Sequence, residues 1–300
     1  MNKAVHTDSN GLVEKISRKL FSGRKKIYQC LRANPDVKAV LFIVGCQRSG
    51  TTLIQSVLHR DLDSMVYGEF TKLSANDAYG IRLNSFDSLE RCFEKDKANL
   101  IAVKCLVESQ NVRDLLEHFV GSKALWMYRH YKDVAASNLK HFGLQNGIED
   151  LRAIAAGSAT NWRSEKLSPA VREDIRKHFS EDMGAHDAAV LFWVARNSLF
   201  IDGEMADNPD VITCRYEDLV ESPVTTVKDI YRWLGLGFPS ERLTAHIHDR
   251  SVKKGKNVDL SPEIERLAQE LLEKLDRAHD QKMGYCRIKS AIIASSASNG

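Results

Sequence analysis

The sequence predicts an α/β protein with a central parallel sheet flanked by helices. Two observations carry that expectation. Short, continuously apolar runs alternate with helical stretches from residue 37 onward, as buried parallel strands and their crossovers do. The run Ala39-Val40-Leu41-Phe42-Ile43-Val44 leads directly into the glycine-bounded loop Gly45-Cys46-Gln47-Arg48-Ser49-Gly50 and a helical stretch, the order of a phosphate-binding turn.

In chain order, the first ten residues are polar and expected to be mobile. Residues 11–33 read as a basic helix. Val13, Ile16, Leu20, Ile27 and Leu31 recur at helical spacing among Lys15, Arg18, Lys19, Arg24, Lys25, Lys26 and Arg32. Such a helix either makes weak contact with an anionic membrane surface or a partner, or docks its apolar stripe on the body and leaves its charges solvated. The second reading is the simpler one. Strands are expected at 39–44, 100–103, 124–128 and 211–214, and helices at 51–59, 112–119, 133–140 and 188–200. Ser261-Pro262-Glu263 is a helix start, with proline in the first turn, for a helix over 261–279. The small, polar tail 291–300 is expected to be disordered. The division is thus a basic helical extension (1–36), one α/β domain (37–290) and a tail (291–300).

Bulk composition narrows the function classes. A net charge of +3 over 300 residues is too small to argue for nucleic acid. Six cysteines without a C-x-x-C pair fit reduced thiols, and no metal site is expected from them. No apolar run approaches the ~20 residues of a membrane span, and charges interrupt the N-terminus throughout, so a cytoplasmic location is expected.

The loop holds an anion by main-chain amides and the positive end of the helix that follows. A nucleoside-triphosphatase loop reads G-x-x-x-x-G-K-S/T, and here Thr51 occupies the lysine position. The charge sits instead at Arg48. The strands at 100–103 and 124–128 run into Lys104 and Arg129, which suggests that protein cations neutralise the ligand. Glu217 and Asp218 after the fourth strand keep a magnesium-dependent nucleotide kinase open as an alternative. A catalytically inert nucleotide-binding module is the other.

The stretch Gly45 to Leu53 strongly resembles the 5′-phosphosulfate loop of the PAPS-dependent sulfotransferases, typically P-K/R-S-G-T-T-x-L. Arg129 and Ser137 stand eight residues apart, as in that family's R-x-P-x-D-x-x-x-S signature, with Tyr131 in place of the proline. Arg215-Tyr216-Glu217-Asp218-Leu219 and Trp233-Leu234-Gly235-Leu236 resemble its Y-E-D-L and F-L-G-L pair. The resemblance covers about residues 40–285. It implies a P-loop-like sulfotransferase fold, PAPS (3′-phosphoadenosine 5′-phosphosulfate) as sulfuryl donor, a hydroxylated acceptor and no metal.

Residue by residue, it implies that Gln47, Arg48, Ser49, Gly50, Thr51 and Thr52 hold the 5′ end of the donor, and Arg129 and Ser137 its 3′-phosphate. Tyr216 would lie on the adenine side. Leu53 replaces a stacking tryptophan of the animal cytosolic enzymes, so adenine recognition differs in part. Lys254 and Gly255, within Ser251-Val252-Lys253-Lys254-Gly255-Lys256, resemble the R-K-G loop over the 3′-phosphate. Arg48 and Lys104 are the expected stabilisers of charge on the departing oxygen. Gly68-Glu69 resembles the Gly-Glu segment that supplies the base in tyrosylprotein-type and many bacterial members. Glu69 is therefore the expected general base, with Tyr67 and Phe70 expected to half-bury it and raise its pKa. His130 and His141 are in reserve. Residues 141–187, with Trp162 and His186, are expected to wall the acceptor, whose identity the sequence leaves open, as it does the oligomeric state.

Overall fold

The computed structural model describes residues 8–32, 38–74, 77, 79–158, 160–248, 252 and 254–297, with side chains described only from residue 19 to 284. The chain runs α1 (Asp8–Arg32), β1 (Ala39–Gly45), α2 (Thr51–His59), β2 (Ser64–Tyr67), α3 (Phe86–Lys95), β3 (Leu100–Lys104) and α4 (Val112–His118). It continues through β4 (Lys123–Tyr128), α5 (Tyr131–Phe142), α6 (Asn146–Ala155), α7 (Pro169–His178) and α8 (Ala185–Asp202). It ends with β5 (Val211–Arg215), α9 (Tyr216–Glu221), α10 (Pro223–Trp233) and α11 (Pro262–Ala297). Short 3-10 turns cover Leu106–Asn111, Glu241–Leu243 and Lys254–Asn257.

All strand pairings are parallel, in the order β2-β3-β1-β4-β5. The chain leaves central β1 toward β2, returns through β3, then crosses β1 to lay down β4 and β5. Consecutive connections thus diverge on either side of β1, and a crevice opens at its carboxyl end. Strand alternation divides the core in two. Phe42, Val44, Trp126 and Tyr128 face the layer that includes α5, α6, α8 and α11, while Leu41, Ile43, Leu125 and Met127 face α2 and α10. Helix α8 is buried at every position from Ala188 to Phe200, which explains its all-round apolar sequence. Its Asn197 accepts a hydrogen bond from Trp126 Nε1 at 3.3 Å, satisfying the indole in that core.

Three expectations change. A fifth strand, β2, lies at the sheet edge. Its four residues Ser64–Tyr67 are too short to announce themselves and are ordered by pairing with Leu100–Val103. The final helix runs to Ala297, through part of the stretch expected to be a disordered tail, and 298–300 lie outside the described residues.

The third change concerns α1. Its polar side docks, not its apolar stripe. Lys25 Nζ donates to His59 O at 2.8 Å and to Ser64 Oγ at 3.1 Å; Gln29 Nε2 donates to Ser64 O at 2.8 Å and Leu62 O at 3.0 Å. Leu20, Ile27 and Leu31 are 70%, 64% and 81% exposed. The physical reason lies in what that edge of the body offers: carbonyls at the end of α2 and the start of β2, which need donors. The side chains of Val13 and Ile16 lie outside the described residues.

Candidate active site

The site is built on the carboxyl end of β1. Gly45 has φ 121°, and a Cβ there would lie 2.2 Å from Met127 O on neighbouring β4, so the turn off the strand needs glycine. Ser109 Oγ ties the turn down, accepting from Gly45 N at 2.9 Å. Gly50 caps α2 with φ 90° and presses against the Tyr216 ring, where a Cβ would come within 2.3 Å. Among the described residues no side chain caps α2. By helix geometry the N–H groups of Thr51 and Thr52 have no acceptor within the helix, and they aim at the loop's concavity. Ser49 is fully buried, and its hydroxyl has no hydrogen-bond partner among the described residues.

Arg48 adopts φ 64°, a left-handed conformation that a side-chain-bearing residue rarely takes. The turn swings its guanidinium toward α5, where Nε donates to Ser137 Oγ at 3.1 Å and the group lies 5.9 Å from the Phe142 ring centroid. The two motifs therefore meet in space. Arg129, at the end of β4, is buried; it contacts Asp133 Oδ2 at 3.2 Å and lies over the Tyr216 ring at 4.3 Å. Burial first, then the Arg129 charge, lower the Arg48 pKa below the usual guanidinium range. Two cations that disfavour each other across a cleft mark a place where an anion lowers the energy.

Asp133 also accepts from Gly255 N at 2.6 Å, so the loop at Lys254–Asn257 closes on the start of α5. A Cβ on Gly255 would sit 2.5 Å from the Lys132 carbonyl carbon, leaving no room for a side chain. Lys254 is thereby placed on the cleft wall. Ser251 and Lys253 lie outside the described residues.

On the other flank, the β1–β3 register pairs Ile43 with Lys104 and sets that lysine beside the loop. Lys104 Nζ bridges Thr52 Oγ1 at 3.3 Å and Glu69 Oε2 at 2.8 Å. β2 returns Glu69 to this end of the sheet. Glu69 is partly buried, its side chain 21% exposed, but its polar partner is not an aromatic neighbour. Tyr67 turns its hydroxyl to Asp96 Oδ2 at 2.6 Å, and Phe70 is 75% exposed, so the carboxylate's partner is the Lys104 ammonium.

These groups line one cavity of about 920 Å³, together with Gln47, His141 and Trp162. His130, Ser49, Gly255 and His186 are not on its wall. His130 instead caps α5, its Nδ1 accepting from Lys132 N at 3.2 Å, and burial chiefly lowers its pKa. Residues not foreseen from the sequence share the wall, among them Ile81, Leu106, Val107, Lys140, Phe192 and Arg196. Arg196 is buried on α8 and donates to Leu106 O at 3.0 Å, Trp162 O at 3.1 Å and Gln110 Oε1 at 3.1 Å. Its only sequence signal is a cation inside an otherwise apolar run. Asp150 on α6, also unforeseen, is buried and accepts from Gln47 Nε2 at 3.2 Å and Asn146 Nδ2 at 2.9 Å, beside Arg163 Nε at 2.5 Å.

The acidic pair that kept a nucleotide kinase open is engaged elsewhere. Glu217 accepts from His130 N at 3.2 Å, and Asp218 binds Arg215 and His279, each at 2.8 Å. Neither lines the cavity.

Parallel sheet, phosphate loop and cation-rimmed cleft define a P-loop-like α/β transferase. The chain belongs to the sulfotransferase domain family, whose model matches residues 38–284. It is a sulfotransferase. Among solved structures, the sulfotransferase domain from the curacin biosynthetic pathway is similar at 16% identity and a TM-score of 0.50, over 78% of this chain and 97% of that one. That from the Synechococcus PCC 7002 olefin synthase is 16% identical with a TM-score of 0.48, over 78% and 94%. A mouse sulfotransferase complexed with PAP is 18% identical with a TM-score of 0.42, over 81% and 86%. At these identities the first likeness speaks for the fold alone. No match was found among curated proteins. Among the described residues no helix is long and apolar enough to cross a membrane.

Proposed function

We propose that the protein transfers the sulfuryl group of PAPS to a hydroxyl acceptor by in-line displacement on protein cations, without a metal. The observation that carries this reading is the Arg48–Ser137 hydrogen bond, which joins the loop suited to the donor's 5′ end to the helix suited to its 3′-phosphate. The uncapped α2 terminus, with Thr51 and Thr52 on the cavity wall, fits the same anion. Arg129 and Ser137 hold the 3′-phosphate, with Lys254 closing over it, and Tyr216 faces the adenine.

In the reaction Glu69 takes the proton from the acceptor hydroxyl, making the oxygen nucleophilic. Lys104, between Glu69 and Thr52, both holds that carboxylate in place and, with Arg48, stabilises charge gathering on the departing bridging oxygen. Apolar Ile81, Leu106, Val107 and Phe192 keep water from the acceptor side. The domain division follows the same reading: residues 37–290 catalyse and the N-terminal helix is an extension.

The test is Glu69→Gln. It should lower kcat by about 100-fold or more, the range for loss of a general base, with PAP (adenosine 3′,5′-bisphosphate) affinity by calorimetry within a few-fold of wild type. Wild-type turnover should survive exhaustive chelation. Near wild-type turnover by Glu69→Gln would remove Glu69 as base; absence of PAP binding would remove the donor assignment.

A further inference from the structure

We infer that the outward face of α1 is a docking surface for an anionic lipid bilayer. At 100° per residue, Leu20, Ile27 and Leu31 fall within about 40° of arc, while Lys25 and Gln29 point to the other side of the helix. The latter pair grips the body through carbonyls of His59, Leu62 and Ser64, and the Phe21 ring lies 5.8 Å from that of His59. Polar anchorage on one side thus holds an apolar stripe outward on the other, the three side chains 64–81% exposed. A helix that needed the stripe for folding would have buried it.

Charge selects the occupant. α1 carries Lys15, Arg18, Lys19, Arg24, Lys25, Lys26 and Arg32 against Asp8 and Glu14, whereas the entire chain nets only +3. The helix alone nets +5, so the rest of the chain nets −2. Exposed Lys19 and Lys26 border the stripe on one side and exposed Arg24 on the other. If a second copy packed its stripe here, a parallel arrangement would oppose Lys19 to Arg24, and an antiparallel one would oppose like positions. Both set cation against cation. Anionic headgroups meet those cations while the acyl boundary takes the leucine and isoleucine side chains. The helix contacts the amino end of β2 and the carboxyl end of α2, the end of the sheet opposite the active-site cleft. A docked molecule therefore keeps its cleft open to solution.

The test is co-sedimentation of the full chain with phosphatidylcholine vesicles, with and without phosphatidylserine. Binding is expected to the anionic vesicles only and to weaken with salt. It should fall about tenfold or more in Ile27→Glu/Leu31→Glu, which removes buried apolar area and adds repelled charge, and comparably in Lys19→Glu/Lys26→Glu. All four positions are exposed, so both variants should keep the wild-type melting temperature and sulfuryl-transfer rate. Equal binding to neutral vesicles, no binding to either, or binding unaffected by the variants would overturn the proposal. So would a solution dimer that Ile27→Glu dissolves, which would give the face to a second copy. Capture of a soluble acidic protein without vesicle binding would give it to such a partner.

Discussion

Arg48 shows how one residue can be legible in sequence and still depend on its fold. Its left-handed backbone, φ 64°, costs on the order of 1–3 kcal/mol and persists because Ser137 and Phe142 receive the side chain. Arg129 is similar. Its guanidinium is held between the Asp133 carboxylate and the Tyr216 ring, an arrangement that uses a planar fork and a flat cation face. Lysine has the charge without either. Arg129→Lys should therefore raise the PAP dissociation constant by about tenfold or more, the cost of a lost charge-assisted hydrogen bond, with a smaller change in kcat at saturating donor. Calorimetric titration and initial rates check it, and unchanged PAP affinity would take Arg129 out of the ligand site. Such residues were readable because loop and signature spacing are local. Asp150 and Arg196 were not, since their partners Gln47 and Gln110 lie 103 and 86 positions away.

Among the elements, α1 is held at a measurable electrostatic cost. Burial lowers the Lys25 pKa from 10.5 to about 8, with Asp61 and Asp63 opposing the shift. Between those two values the unfolded chain keeps a proton that the folded chain has released. Stability therefore rises with pH across that window, and the cost of burying the ammonium is fully present below pH 8. Thermal denaturation of wild type against Lys25→Met should show the wild type gaining relative stability from pH 8 toward 10.5. A flat difference would mean that Lys25 is solvated. The helix itself was expected from its periodicity, but periodicity names an apolar face without saying what covers it. α8 was equally visible as apolar, yet only packing shows that Phe192 and Arg196 face the cleft.

At the scale of the molecule, the order β2-β3-β1-β4-β5 decides which chain segments share a site. Segments around residues 48, 69, 104, 129, 216 and 254 converge on one cleft because they follow strand ends or close over them. Ligand binding should then stabilise the whole domain. At 100 times its dissociation constant PAP adds about 2.7 kcal/mol to the folded state. That corresponds to a rise in melting temperature of about 4–5 °C, which differential scanning fluorimetry resolves. The shift should diminish with salt, because the cleft binds through charge. Absence of any shift at saturation would contradict a PAP site.

The sequence by itself determined the α/β class, four of the strands, the glycine-bounded loop, and the spacing of Arg129 and Ser137, which the fold sets on the same cavity as that loop. Those signals are runs and spacings of a few residues, where local chemistry suffices. Tertiary structure alone decided that Ser64–Tyr67 forms the edge strand, that Glu69 answers to Lys104 and not to flanking aromatics, and that α1 turns its apolar face outward. In each case the deciding partner lies 34 to 36 positions away in the chain: Leu100 for Ser64, Lys104 for Glu69, His59 for Lys25. A partner that distant is chosen by the folded backbone.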